Sequence, residues 1–201
     1  STDDAGTSRK ALCEWIVQDV MSGRAMVYRP GVIVGPHDRT DRFTYWVRRV
    51  SQGGKVLVPG SPDRLQQIMD VRDLGEWNVH MAESRQIGVY NTEGPDYPLT
   101  MGQIVDECKR VTGSDAELVW VDGEFLEEHG EESYDRMPPW LKEPLGLRQM
   151  NCDKAIKAGL IFRPLADTIR ASLEWDAERN LDAKIPFPLP TRVGPSLQRE
   201  K

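Results

Sequence analysis

Cysteine is scarce and scattered in this sequence. Cys13, Cys108 and Cys152 stand far apart along 201 residues, and neither C-x-x-C nor H-E-x-x-H occurs. The sequence therefore shows no zinc-binding pattern, and so few, widely spaced cysteines are typical of a protein from a reducing, cytoplasmic compartment. We expect Cys108, on the apolar face of a predicted helix, to be a small core hydrophobe.

Long apolar runs and positive net charge are also missing. No window approaches 18 uncharged apolar residues, and residues 1–10 contain no apolar signal-peptide core, so we expect neither a membrane span nor secretion. The formal net charge of -6 disfavours nucleic acid as a partner. Four arginines do cluster between residues 39 and 49, but aspartates interrupt the cluster.

A glycine-rich phosphate-binding turn is the most informative absence. The sequence contains no G-x-G-x-x-G, no G-x-x-G-x-x-G and no Walker A pattern. The nearest stretch, "QGGK" at 52–55, lacks the earlier glycine at the required spacing. Such turns bring backbone N–H groups to a pyrophosphate, so these residues hold no visible pyrophosphate cradle.

Short apolar strands alternate with amphipathic helices along most of the chain. This alternation predicts an α/β fold with parallel strand pairing. Asp70 and Thr100 are predicted helix caps, and Gln103 stands at the capping-box position after Thr100. The predicted helices cover 8–22, 39–51, 71–81, 100–112, 151–160 and 165–179, and the predicted strands cover 25–29, 55–60, 65–70, 88–94 and 116–122.

One apolar run is closely bounded by turn residues. In "RPGVIVGPHD" (29–38), the stretch "VIV" lies between Pro30-Gly31 and Gly35-Pro36, and it either extends the preceding strand or turns away from it. In open α/β sheets, ligands bind beyond the carboxyl ends of strands. A Pro-Gly there lets a flat ligand approach the backbone closely, although ordinary turn punctuation explains the pattern equally well.

Several stretches, in order, resemble the C-terminal half of the extended short-chain dehydrogenase/reductases, the NAD-dependent epimerase/dehydratase family. The resemblance spans about residues 8 to 179, and the ordered set is specific where no single motif is. The stretches are "KALCE", "RPGVIVGPHDRTDRFTYW", "GGKVLVPGSPDRLQQIMDVRDL", "GVYNTEG", "PLTMGQIVDECKRVTGSDAELVWVD" and "DKAIKAGLIFRPLADTIRASLEW".

The resemblance implies a fold class and a domain organisation. We expect the C-terminal part of a Rossmann-like parallel sheet together with a small α+β substrate-binding lobe. Residues 1–183 would form this single domain, and residues 184–201, with four prolines, would form an extended tail. Family members begin with a half that carries G-x-x-G-x-x-G. The chain therefore looks like a truncated member, one subunit of a split enzyme or a piece of a longer polypeptide.

The family's catalytic motif, Y-x-x-x-K, is incomplete in this sequence. Lys10, followed by "ALCE", matches the motif's lysine, which lowers the pKa of the tyrosine and holds the nicotinamide ribose. Gly6 stands four residues earlier, where the tyrosine is expected. Without that phenol, acid–base help of roughly 10²- to 10⁴-fold is missing. Lys10 is either the former catalytic lysine or a solvated residue of a first helical turn.

The resemblance also implies ligand-binding residues around the "VIV" run. Tyr28, Pro30, Gly31 and Val32 match the turn whose backbone packs on the nicotinamide. The polar stretch that follows usually lines the substrate pocket, which makes His37, Arg42 and Trp46 candidates. His37 could instead be bonded to loop backbone, and Arg42 could simply pair with Asp38.

The nature of the substrate stays open. Family members acting on sugar nucleotides often carry an arginine on the strand before "DVRDL", where Gln66 stands here. Arg64, two residues earlier, could face the same side because side chains alternate along a strand. Arg72 gains nothing from the helix dipole at a helix N-terminus, so it reaches either a ligand or a partner carboxylate. A sugar nucleotide and a small carbonyl or hydroxyl compound remain alternatives.

Three functions follow. The first is a component of an NAD(P)-dependent reductase, epimerase or dehydratase, which uses NAD or NADP only when another chain supplies the glycine-rich turn. The second is a non-catalytic partner or pseudoenzyme that stabilises an active relative. The third, a free-standing enzyme of other chemistry, has no visible nucleophile or metal pattern. Because isolated strands leave edges unpaired, we expect a partner chain with the other Rossmann half, or a homo-oligomer through helix 8–22.

Overall fold

A computed structural model describes residues 2–38, 40–122, 124 and 149–179, with side chains described from residue 9 onward. The predicted tail at 184–201 and nearly all of the loop-rich stretch 123–150 lie outside these residues. The helices are α1 (Thr2–Val20), α2 (Thr44–Ser51), α3 (Val71–Glu83), α4 (Met101–Thr112), α5 (Asp153–Lys157) and α6 (Leu165–Glu178). The strands are β1 (Met26–Pro30), β2 (Val32–Val34), β3 (Lys55–Pro59), β4 (Leu65–Asp70), β5 (Gly88–Thr92), β6 (Gly94–Thr100) and β7 (Glu117–Val121).

The strands pair mainly in parallel, which confirms the predicted α/β class. β1 pairs with β5, from Met26 opposite Gly88 to Pro30 opposite Thr92, and β3 pairs with β7. β2 pairs in parallel with β4, and β4 pairs antiparallel with β6. The chain therefore changes neighbours at Gly31: β1 lies beside β5, whereas the "VIV" strand turns away to lie beside β4.

Several element boundaries differ from the sequence-based expectation, and one strand was missed: α1 covers Thr2–Val20 rather than 8–22, and α5 covers Asp153–Lys157 rather than 151–160. Helix α2 begins at Thr44 rather than at residue 39, because the residues before it form turns in which Tyr45 N donates to Asp41 O at 2.8 Å. Strand β6 was not predicted, since its two prolines hide the usual strand pattern. Proline is tolerated there because it needs no N–H partner at a sheet edge.

The predicted caps are confirmed. Asp70 accepts a hydrogen bond from the Arg72 backbone N–H at the start of α3. At α4, Thr100 and Gln103 form both hydrogen bonds of a capping box, and Gly113 ends the helix with φ of 65°. Side-chain caps satisfy N–H groups that the first helical turn leaves unpaired, so these residues determine where each helix begins.

Buried side chains form two clusters. The larger one joins α2, α4, α6 and β3 around Trp46, Val56, Ile104 and Ile169, and it includes Cys108, whose predicted core role is confirmed. The smaller one lies around Trp77, Met81 and Tyr90 beneath α3 and β5. These clusters fix α2, α3 and α6 around the end of β2, where the candidate site lies.

Helix α1 stands apart from both clusters. The predicted apolar stripe is exposed within the described residues: Trp15 is 76% exposed, Leu12 55% and Ile16 52%. One ion pair, from Arg29 on β1 to Glu14 at 2.6 Å, ties the helix to the sheet. No helix among the described residues is both long and apolar enough to cross a bilayer.

Candidate functional site

A cleft of about 390 Å³ opens where β1 gives way to β2. Its floor is formed by residues 31–34, and Val71, the first residue of α3, lines it as well. The wall is polar and comes from the loop between β2 and α2, namely Pro36, His37, Asp38, Thr40 and Arg42. An apolar floor beside a polar wall is the usual composition of a small-molecule site.

At the cleft floor, the backbone at Gly31 and the side chain of Glu93 lie very close together. A Cβ atom on this residue would lie 2.4 Å from Cδ of Glu93, the residue between β5 and β6. Any larger residue at position 31 would therefore displace the Glu93 side chain. The absence of a side chain at position 31 thus leaves room for the Glu93 side chain.

The polar wall is organised by Asp38. Its Oδ1 accepts hydrogen bonds from the Thr40 backbone N–H at 2.9 Å and from Thr40 Oγ1 at 2.6 Å. The Asp38 backbone N–H donates to Gly35 O, and the Asp41 N–H donates to Asp38 O. These bonds give the wall a defined shape and leave carboxylate, hydroxyl, imidazole and guanidinium groups beside an apolar floor.

A buried polar network holds Val71 at the cleft. Asp70 precedes it, and its carboxylate accepts from Arg72 Nη2 and from Thr168 Oγ1, both at 2.7 Å. Burial by itself raises the pKa of the Asp70 carboxyl, but hydrogen bonds from Arg72 and Thr168 outweigh it and hold that pKa below its ordinary value. The charged carboxylate therefore locks the end of β4 to the start of α6.

Four of the ten residues predicted from the sequence line this cleft: Gly31, Val32, His37 and Arg42. Pro30 ends β1 directly before the floor, and Tyr28 lies two residues further back, 39% exposed. Lys10 is exposed on α1, and neither it nor Tyr28 is among the lining residues. Two of the four residues predicted for the nicotinamide side and two of the five predicted for the substrate thus line one cavity.

Three other candidates have different surroundings. Trp46 is fully buried in the larger core cluster, and its ring meets the Tyr45 ring edge-on with 5.0 Å between the ring centroids. Trp46 therefore packs in the core and not in the cleft. Arg72 binds the Asp70 carboxylate and the Asp167 carbonyl. Of the two predicted partners for Arg72, a ligand or a carboxylate, the structure therefore shows the carboxylate. Arg64 is half-buried and is not among the residues that line the cleft. Its burial lowers the pKa of the guanidinium.

Sequence reasoning missed the residues that hold the wall in place. His37 contacts Trp175 of α6, with ring centroids 5.7 Å apart, and Arg179 Nη2 donates to Asp41 at 2.7 Å. No local pattern links residues separated by 138 positions along the chain. The available signal was Trp175, a large aromatic residue within the otherwise mostly charged stretch "EWDAER".

The groups that line the cleft can bind a ligand through a carboxylate, a hydroxyl, an imidazole and a guanidinium. Among the residues that the structure describes, no three His, Cys, Asp or Glu side chains are arranged to hold a metal ion. Gly6 lies on α1 one turn before Lys10, so that position offers no phenol for proton transfer. Gly31 and Val32 line the apolar floor of the cleft, and the sequence contains no glycine-rich pyrophosphate turn.

The fold is similar to that of solved nucleotide-dependent enzymes. A UDP-glucuronic acid 4-epimerase from Bacillus cereus, solved with NAD, matches with a TM-score of 0.60 at 15% identity, covering 85% of this chain and 50% of that one. A UDP-glucose 4-epimerase from Thermotoga maritima matches with a TM-score of 0.61 at 17% identity, covering 87% and 52%. RMD from Pseudomonas aeruginosa, solved with NADPH, matches with a TM-score of 0.56 at 14% identity, and the match covers 80% of this chain and 50% of that one.

These matches establish a Rossmann-like α/β fold, and the chain spans about half the length of the structures it matches. No family model matches the sequence, and no curated protein matches it either. The similarity at this level of identity concerns the fold, and what the neighbours bind is a property of those proteins.

Proposed function

We propose that this chain forms the substrate lobe and the nicotinamide-side turn of an NAD(P)-dependent extended short-chain dehydrogenase/reductase. The reaction would be a reduction, epimerisation or dehydration of a sugar nucleotide or a small carbonyl or hydroxyl compound. A polypeptide segment outside these 201 residues, on this chain or another, would supply the glycine-rich turn and the catalytic tyrosine.

The observation that supports this proposal best is the cleft at the β1–β2 break. It combines Gly31 and Val32, predicted for the nicotinamide side, with His37 and Arg42, predicted for the substrate side. The neighbours include structures solved with NAD and with NADPH, which favours a nicotinamide cofactor.

The exposed face of α1 supports a partner segment. Leu12, Trp15, Ile16 and Val20 present large apolar side chains that are more than half exposed. Contiguous exposed apolar surface of this kind usually marks an interface. We propose that the segment carrying the other half of the sheet packs here; a homo-oligomer through α1 is the other arrangement.

A non-catalytic role is the second candidate. Gly6 in place of the expected tyrosine favours a binding or stabilising partner of an active relative. A tyrosine in the supplied segment, within reach of Lys10, would favour the enzyme component over this alternative.

Nicotinamide mononucleotide tests the proposed site because it carries the ring without needing a pyrophosphate cradle. In ¹H–¹⁵N spectra of the ¹⁵N-labelled chain, we expect millimolar binding to shift the amides of residues 31–34 and 37–42. Shifts elsewhere, or none up to about ten millimolar, would contradict the assignment.

A matched pair of variants sharpens this experiment. Val71 lines the cleft and is 38% exposed, whereas Val79 lies on the same helix at 59% exposure and is not among the lining residues. Val71→Glu places a carboxylate in the cleft at a helix N-terminus, where an acidic residue is tolerated, and should abolish the shifts by repelling the phosphate. Val79→Glu should leave them unchanged.

A further inference from the structure

The last turn of helix α6 lies against the polar wall of the cleft. Trp175 contacts the His37 ring at 5.7 Å between centroids, with the planes inclined by 58°. Arg179 donates to Asp41 at 2.7 Å, and its guanidinium carbon lies 4.0 Å from the centre of the Trp175 ring. Trp175 of α6 and Arg179, the residue that caps its C-terminus, therefore contact the loop at His37 and at Asp41.

A chain of charged side chains with alternating sign connects this contact to the protein core. Asp176 accepts hydrogen bonds from Arg179 and from Arg48 of α2, so Asp41, Arg179, Asp176 and Arg48 alternate in sign. Asp176 is 8% exposed and Arg179 22%. Burial raises the pKa of the Asp176 carboxyl, but the two arginines outweigh it and lower that pKa overall. Charge-assisted hydrogen bonds at this depth are stronger than surface ion pairs.

The loop that α6 contacts is conformationally strained at the two contacted residues. His37 has φ of 66° and Asp41 has φ of 53°, both in the left-handed region that residues other than glycine seldom occupy. Such conformations persist only when the surrounding structure holds them, and they occur preferentially at functional sites. Here the surrounding groups are Trp175, at His37, and Arg179, at Asp41.

We infer that Trp175 and Arg179 are positioning residues for the cleft. They hold the loop 36–42 in its strained form and thereby set where His37 and Arg42 stand relative to a bound ligand; the identity of that ligand rests on the proposed function. Neither Trp175 nor Arg179 lines the cleft, so both act through the loop.

Hydrogen exchange on the intact chain tests the holding role directly. The backbone N–H groups of Asp38, Thr40 and Asp41 are hydrogen-bonded within the loop and report its opening. Arg179→Gln should speed their exchange by about tenfold, as expected for losing a hydrogen bond between charged groups, while peptides of α4 keep their rates. Arg179→Lys, which keeps the charge near Asp41, should restore much of the protection.

A control on the same helix separates positioning from general stability. Arg170 is 54% exposed and pairs with Asp167 one turn away, so Arg170→Gln should leave loop exchange unchanged. Equal acceleration of the loop and of α4 in Arg179→Gln, or unchanged loop exchange, would overturn the inference.

A second measurement tests the effect of the loop on ligand binding and uses nicotinamide mononucleotide as the probe. In Arg179→Gln, we expect the shifts of residues 31–34 to persist while the apparent affinity falls by at least about threefold, because a mobile wall must be ordered on binding. A loosened loop with unchanged affinity would show that α6 does not act on the ligand. If the unsubstituted chain shows no shifts, the proposed function fails, and the exchange arm still decides whether α6 holds the loop.

Discussion

At the scale of single residues, the Gly31 position tests the geometry of the cleft floor. Gly31→Ala would drive a Cβ atom into the far end of the Glu93 side chain, which can shift, so we expect the free energy of unfolding to fall by no more than about 1 kcal/mol. Truncating the obstacle in the double variant Gly31→Ala/Glu93→Ala should recover part of that loss, as measured in a chemical-denaturation double-mutant cycle.

Gly75 provides the matched control for that substitution. It lies in helix α3, and an added Cβ would meet nothing within 4 Å. Gly75→Ala should therefore raise the free energy of unfolding by about 0.5–1 kcal/mol. Equal effects of the two glycine substitutions would show that the close approach at Gly31 is not real.

Acid stability follows from the two aspartates with lowered pKa. Asp70 and Asp176 bind protons more weakly in the folded chain than in the unfolded chain, so their ion pairs stabilise the fold at neutral pH. This contribution is fully present above the unfolded pKa of about 4 and is lost as the pH falls through the lower folded values. Denaturation curves should show stability declining below about pH 4.

Asp176→Asn should remove part of that decline. At neutral pH, it should lower the free energy of unfolding by about 1–3 kcal/mol, because Arg48 and Arg179 lose a charged acceptor. Asp167→Asn breaks only the exposed pair with Arg170 and should change stability by less than about 0.5 kcal/mol. An acid decline of the same size in Asp176→Asn and the unsubstituted chain would contradict this account.

At the scale of secondary-structure elements, helix α1 is the clearest candidate for an interface. Trp15→Glu changes a residue that is 76% exposed, so it should leave the fold intact by circular dichroism while abolishing association in light scattering. Val79→Glu, on the exposed side of α3, should not affect association. A folded monomer near 22.8 kDa that Trp15→Glu leaves unchanged would rule out this interface.

Elements whose signals are local were predictable from the sequence. Asp70 and Thr100 cap their helices through hydrogen bonds to backbone two or three residues away, so a short stretch contains the whole interaction. Strand β6 escaped prediction because its prolines are acceptable only at an edge, and edges are a property of the assembled sheet.

Site residues were harder because their partners are distant in sequence. The sequence placed Gly31, Val32, His37 and Arg42 near one ligand, and the structure brings them to one cleft. The sequence could not distinguish a tryptophan buried in the core from one that faces a ligand. In the structure, Trp46 of α2 packs in the core. The sequence also could not show that Arg72 binds the carbonyl of Asp167, which is 95 positions away.

At the scale of the whole molecule, binding and catalysis should both be incomplete in the isolated chain. The glycine-rich turn and the tyrosine are missing from these 201 residues. Calorimetry should therefore give NAD(H) and NADP(H) affinities no tighter than about millimolar, and no hydride transfer should be detectable. Placing a tyrosine at position 6 should not rescue turnover without the cofactor half.

The central claim is that these 201 residues complete a nicotinamide site together with a polypeptide segment outside them. The mass of the native complex, with its bound nucleotide, tests this most directly. We expect native mass spectrometry to show the chain together with a polypeptide segment carrying a glycine-rich turn, and one NAD(P) for each such pair. A native species of this chain alone, at 22.8 kDa, that holds a dinucleotide with micromolar affinity would contradict the account.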